Sequence, residues 1–253
     1  EAFCGCNRLK NVELSDGLVV IGNASFSYCY SLEQITLPSS VRNIETAAFH
    51  GCSRLKNVEL NEGLVVIKQM AFQLCFALES ICIPSTVKMM GIHAFSCCFK
   101  LTNVVLSEGL ECIESNAFRS CNSLEQINLP STLKSVSEGA FCGCTSLRKV
   151  DFYFGLEEIA RKAFASCVSL DRIYVPSTVK LIHSLAFHNC RLKTVQFSNE
   201  FEEMVSALSL QDWWRRLEPG MTMNVTYTFF ARCNILERLS KIKSEKWQNE
   251  IHE

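Results

Sequence analysis

Phenylalanine stands at positions 3, 26, 49, 72, 95, 118, 141, 164 and 187 of this chain, a spacing of 23 residues that never slips. Cysteine keeps the same interval from Cys6 to Cys190, and leucine follows it from Leu9 to Leu170, with Leu192 one residue early in the last copy. A 23-residue unit of this kind cannot close a core by itself, because its one apolar face needs a lid and its backbone donors and acceptors need neighbours. Units of equal length stacked on one another meet both needs at once, so the repeat predicts a solenoid before any single residue is considered.

One unit reads AFRSCNSLEQINLPSTLKSVSEG over residues 117–139. Leu124, Ile127 and Leu129 predict a short strand with one buried face, since Ile127 and Leu129 are two apart. After it come Pro130, a polar turn, and Leu133 and Val136 three apart. Parallel strands about 4.8 Å apart would make nine such units roughly 40 Å long, with each Phe, Cys, Leu and Ile stacked on its equivalent next door. A second period of 46 lies over the first: the turn after the strand is of a Pro type at Pro38, Pro84, Pro130 and Pro176, and of a Gly type at Gly17, Gly63, Gly109 and Gly155. Proline ends a strand by removing a donor, whereas glycine permits a positive φ at low cost. The residue after the lead-in Leu also alternates in charge, as Lys10, Glu33, Lys56 and Glu79 and later Arg148, Asp171 and Lys193, which reads as a register device along the stack.

The pattern L-x-x-I-x-L-P-x-S/T-V-x-x-I-x-x-x-A-F-x-x-C-x-x, matched by nine units over residues 1–205, resembles the BspA-like leucine-rich repeats of bacterial surface proteins and of protists and algae. The resemblance implies a right-handed curved superhelix with a parallel strand ladder, used for protein recognition, with cell-surface adhesins among its members. It carries over no catalytic residues.

Beyond residue 205 the composition changes. SALSLQDWWRRLEPG brings Leu208, Leu210, Trp213, Trp214 and Leu217 at helical spacing and ends on Pro219-Gly220, and Phe229, Cys233, Leu236, Leu239 and Ile242 form one face of an amphipathic helix. Residues 206–253 are therefore expected to form a helical C-terminal cap over the last repeat, or else a helix for a partner or for self-association. The open edge of the first repeat is a second surface through which copies could associate.

The balance of 25 basic against 26 acidic residues gives a net charge of −1, which argues against nucleic acid as the partner. No apolar run approaches the roughly 20 residues of a membrane span. Neither a G-x-S-x-G elbow nor a Walker loop is present, and no cofactor is expected, so the chain reads as non-catalytic. The cysteine column reads as small buried hydrophobes. Cys4, Cys82, Cys97, Cys112, Cys142 and Cys233 lie outside it, and the C-x-C pairs at 4/6 and 142/144 lack the facing pair or histidines of a structural zinc site. Reduced thiols suit a cytosolic compartment, whereas the family resemblance points to the cell surface or secretion. Sequons at Asn23 and Asn224 belong to the second case, although Asn23 sits beside the Phe column. His50 and His188, two residues before a column Cys, are expected at the surface.

What is left is variation at exposed columns. Phe76 and Phe99 follow the column Cys, and Cys82 and Val105 fill an outward strand position that carries Glu13, Thr36, Glu59, Asn128 and Asp151 in other units. Lys149, Arg172 and Tyr174 make the same face basic and aromatic further on. These seven are the candidate partner-binding residues for a protein ligand.

Overall fold

The computed structural model describes residues 1–197, all of them in strands, turns and connecting segments. The expected cap over 206–253 and the boundary at residue 205 lie outside the described residues, as do Asn224 and Cys233.

Each unit makes two short strands where the alternation pattern predicted one. In chain order they are β1 Val20–Ile21, β2 Gln34–Thr36, β3 Asn43–Ile44, β4 Asn57–Glu59, β5 Val66–Ile67, β6 Ser80–Ile83, β7 Met89–Met90 and β8 Asn103–Leu106. They continue with β9 Cys112–Ile113, β10 Gln126–Asn128, β11 Ser135–Val136, β12 Lys149–Asp151, β13 Glu158–Ile159, β14 Arg172–Val175, β15 Leu181–Ile182 and β16 Thr194–Phe197. The odd-numbered strands form one parallel sheet of eight, β1 to β15 in sequence order, which is the spine of the solenoid. The sequence count of nine units is thus corrected to about eight turns, because the spine strand of the last copy would fall beyond residue 197 and segment 11–14 of the first copy forms no strand. The expected continuous ladder along the even-numbered strands is also corrected: it is broken into four pairs, β2 with β4, β6 with β8, β10 with β12 and β14 with β16. Each pair joins a Pro-type unit to the unit that follows it, so the 46-residue period is written into the pairing.

Along the third edge the repeat is uniform. The Phe N–H of every unit from Phe3 to Phe164 donates to a carbonyl in the next unit, to Ser25 from Phe3 and to alanine from Ala48 to Ala186 thereafter, at 2.7 to 2.8 Å. The nine Phe rings stack in line, with centroids 5.1 to 5.4 Å apart and planes within 3 to 12° of parallel. Under them lie the cysteines. Eight thiols, from Cys29 to Cys190, donate at 3.1 to 3.3 Å to the Phe carbonyl 26 residues earlier, from Phe3 to Phe164. That carbonyl already accepts the N–H of its own unit's Cys, as Phe26 does from Cys29 at 3.2 Å, so the thiol fills its second lone pair. Cysteine here is a donor as well as a hydrophobe, which the spacing alone did not reveal.

Tight turns around the Phe force two left-handed residues per unit. One column runs from Ala24 to Leu185 and the other from Gly5 to Asn189, with φ between 48 and 62° at every non-glycine member. In the repeated AFCGC stretches, Gly5 and Gly143 occupy the second of these columns, where an L-residue carries a conformational cost.

A hydroxyl couples the two turn types. Thr132 Oγ1 donates to the Leu110 carbonyl at 2.7 Å and accepts the Gly109 N–H at 3.1 Å, and Ser40 does the same to Leu18 and Gly17. Gly109 also packs against the preceding Pro turn so closely that a Cβ there would lie 2.4 Å from the Ser85 carbonyl oxygen. A hydroxyl recurs one unit after each glycine, at Ser40, Thr86, Thr132 and Thr178, and takes the glycine N–H at Gly17, Gly109 and Gly155, whereas the Gly63 N–H donates to Asn61 Oδ1.

Candidate functional site

On the even-numbered strands the inward residues are core and the outward ones form an exposed face. Ile81 and Ile83 of β6 are buried while Ser80 and Cys82 point out, and Val104 and Val105 of β8 divide likewise. The register pairs Cys82 with Val105, so the two apolar outward residues are neighbours. Phe76 and Phe99, in the turns leading into β6 and β8, stack with centroids 5.0 Å apart and planes 1° from parallel. They are 38% and 39% exposed and Val105 is 44% exposed, values at which part of each side chain packs on its neighbour and the rest faces solvent. Four of the seven candidate residues thus fall in one two-unit cluster, Phe76 and Phe99 in its turns and Cys82 and Val105 on its strands.

Lys149, Arg172 and Tyr174 are not part of that cluster. Lys149 lies on β12 and the other two on β14, with β10 between them and the apolar residues. Nor is this end basic in effect. The Lys149 ammonium is 2.7 Å from Asp151 two residues along its own strand, a contact that holds its pKa above the usual value, and Arg172 Nε is 3.5 Å from Asp171. Tyr174 stands beside Gln196 in the β14–β16 register and remains exposed. The alternating charges after the lead-in Leu do meet as ion pairs at Lys56–Glu33, 3.6 Å, and Lys193–Asp171, 3.7 Å, both exposed and so worth little.

Two exposed aromatic pairs escaped the sequence reading: Tyr28 with Tyr30, whose ring centroids are 6.0 Å apart, and Tyr153 with Phe154. Tyr153 and Phe154 stand before Gly155 where the other Gly-type turns carry Ser15-Asp16, Asn61-Glu62 and Ser107-Glu108, and Phe154 is 63% exposed. In those turns the acid is used locally: Glu108 accepts from the Ser131 N–H at 3.1 Å and from its hydroxyl at 2.9 Å. Set against that acid column, Tyr153 and Phe154 were visible in the sequence as a departure.

The thiols are shielded rather than poised. Burial pushes Cys52 up to about 12 and raises Cys29, Cys75, Cys98 and Cys121 above the ordinary thiol range, while for Cys167 the neighbouring Cys190 thiol and burial together raise it. His50, expected at the surface, is half-buried, its Nδ1 has no hydrogen-bond partner, and burial lowers its pKa; His188 is exposed. Asn23, in contrast to its expected place beside the Phe column, is exposed. Among the described residues no group of three or more His, Cys, Asp or Glu is placed to hold a metal ion, and no helix is long and apolar enough to cross a membrane.

The BspA type leucine-rich repeat region matches in six copies, over residues 1–98 and 88–208. The chain belongs to the BspA-type leucine-rich repeat family. Among solved structures it is similar to the leucine-rich repeat protein TpLRR of T. pallidum, with 37% identity, a TM-score of 0.58, and coverage of 62% of this chain and 74% of that one. It is also similar to a leucine-rich repeat protein of Bacteroides ovatus, with 25% identity and a TM-score of 0.57, where the match covers 71% of this chain and 55% of the relative. No curated protein sequence matches. Leucine-rich repeat proteins generally mediate protein interaction.

Proposed function

We propose that the protein is a non-catalytic recognition module that binds a protein partner through the strand face of its solenoid, with Phe76, Phe99, Cys82 and Val105 as the apolar centre of the contact. The observation that carries this reading is the exposed Phe76–Phe99 stack in the same two units as the Cys82–Val105 pair, at positions that most other units fill with polar residues, Tyr30, Val168 and Tyr174 excepted. Aromatic anchors ringed by polar residues are where binding energy concentrates in protein interfaces. Glu59 and Asn57 on β4 and Gln126 and Asn128 on β10 supply that rim. Lys149, Arg172 and Tyr174 extend the face as secondary contacts whose charges are already partly satisfied by Asp151 and Asp171.

A photoreactive residue in place of Phe99 would capture the partner for identification, and the purified partner then gives the test. Phe76→Asp with Phe99→Asp should weaken binding at least about tenfold. Asn122→Asp with Thr145→Asp, in the same column of later units, should leave it unchanged. Unaltered affinity in the first variant, with its thermal unfolding near that of the parent, removes the patch from the reading.

The exposure of Asn23 within Asn23-Ala24-Ser25 favours a second reading, a secreted or cell-surface protein that binds host or matrix glycoproteins. A glycan on Asn23 in protein isolated from its native source would support it, and an unmodified Asn23 there would count against it.

A further inference from the structure

The strand face is not bonded evenly along its length. Within each pair of even-numbered strands the backbones are tied at both ends: Leu37 N donates to Glu59 O at 3.0 Å and Leu129 N to Asp151 O at 3.1 Å. At the lead-in end Lys56, Thr102, Arg148 and Lys193 each donate one unit back, to Glu33, Glu79, Glu125 and Asp171, at 2.7 to 2.9 Å. Between pairs these ties are lost. Leu60 and Phe152, one unit on from Leu37 and Leu129, make no N–H hydrogen bond among the described residues, and no ladder joins β4 to β6, β8 to β10 or β12 to β14. The lead-in bond at the first of these junctions, Glu79 N to Lys56 O, lengthens to 3.3 Å, and at the other two the corresponding bond is missing.

The remaining edges show no such alternation. The Phe-to-carbonyl bonds stay at 2.7 to 2.8 Å in every unit, and the spine is one sheet of eight that weakens at a single junction, β9 to β11, where the Val136–Ile113 pairing remains and the Lys134 and Ser137 N–H bonds to the preceding unit, present at the other junctions, are missing. Opening free energy follows local hydrogen bonding and contacts, so a face bonded in twos opens at the places between the pairs, most easily at β8|β10, where the spine behind it is also weakest.

We infer that the strand face is divided into rigid two-unit blocks separated by three seams, at β4|β6, β8|β10 and β12|β14, and that the solenoid yields at these seams while its Phe edge stays closed. The 46-residue alternation of Pro and Gly turns is the sequence device that sets the blocks, since every block starts with a strand that runs into proline. One consequence rests on the recognition reading above: Phe76, Phe99, Cys82 and Val105 all belong to the β6–β8 block, so the site keeps its shape as seams on either side give way. Lys149 belongs to the next block and Arg172 with Tyr174 to the one after, so the secondary contacts can shift relative to the apolar centre.

Native-state amide exchange of the full chain tests the division in the absence of any partner, so its failure and that of the recognition reading are separable. The Leu37 and Leu129 amides should exchange at least about tenfold more slowly than Leu60 and Phe152, while Phe49, Phe72, Phe95 and Phe118, in successive units, exchange at similar rates. Equal rates at Leu37, Leu60, Leu129 and Phe152 would overturn the seams. So would rates ordered only by distance from the chain ends, which is fraying, or a two-unit alternation that also appears at the Phe amides, which is opening of whole units.

Discussion

At Cys121 the thiol is fully buried and donates at 3.3 Å to the Phe95 carbonyl, which also takes the Cys98 N–H at 3.3 Å. A buried carbonyl left with one partner fewer, and the space vacated by a sulfur atom, both penalise replacement by alanine. Cys121→Ala should lower the unfolding free energy by about 1 to 2 kcal/mol. Cys82, exposed and outside the column, gives the contrast, and Cys82→Ala should stay within about 0.5 kcal/mol of the parent. Urea midpoints at constant slope measure both, and an equal effect at the two sites would mean that the thiol hydrogen bond contributes nothing. The same comparison separates what was readable at this scale from what was not. That Cys121 is core follows from its column, but its role as donor depends on a carbonyl 26 residues away, one unit plus one turn, and no local pattern points there.

Two turn types sharing one hydroxyl make the element-scale unit larger than the repeat. Thr132→Val keeps the shape of the Pro130 turn but removes both the bond to Leu110 O and the acceptor of Gly109 N–H, leaving two partly buried groups without partners. The expected loss is about 1 to 3 kcal/mol, recovered in large part by Thr132→Ser, with chemical denaturation as the readout. Ser131→Ala, which removes only an exposed contact to Glu108, should cost less than about 1 kcal/mol. The strand of each unit and the Pro and Gly alternation were legible because alternation over Ile127 and Leu129 and the turn residues carry direct signals. The spine was not, since a strand of two residues such as Ser135–Val136 buries a single side chain, too little for a period of two to register. The split of the even-numbered strands into pairs was invisible for another reason: apolar spacing is the same on both sides of a seam, and only the backbone bonds differ. The apolar centre of the site was legible as Phe76, Phe99, Cys82 and Val105 in adjacent units of columns that are mostly polar elsewhere. The neutralisation of Lys149 by Asp151 was not, because both residues were read against their columns rather than along their own strand.

Stacking turns a property of one cysteine into a property of the whole molecule. Six column thiols, Cys29, Cys52, Cys75, Cys98, Cys121 and Cys167, are held above the ordinary thiol range, with burial the leading cause in all but Cys167, where the Cys190 thiol comes first. In the unfolded chain the same groups ionise from about pH 8.5. Above that pH the unfolded state has given up protons that the folded state still holds, so stability is complete below pH 8.5 and falls as the pH rises toward the folded value, about 12 at Cys52. Each thiol whose folded value lies beyond the window contributes about 1.4 kcal/mol per pH unit to the slope within it. The unfolding free energy should therefore drop steeply between pH 9 and 11, and the Cys121→Ala curve should be shallower than the parent by about 1.4 kcal/mol per pH unit. Denaturation series at half-unit steps, with thiolate absorbance followed in parallel, measure the two slopes. A parent curve flat to pH 11 would show that the column ionises in the folded state without cost, and the thiols would then not be the protected donors that their bonds to the Phe carbonyls require.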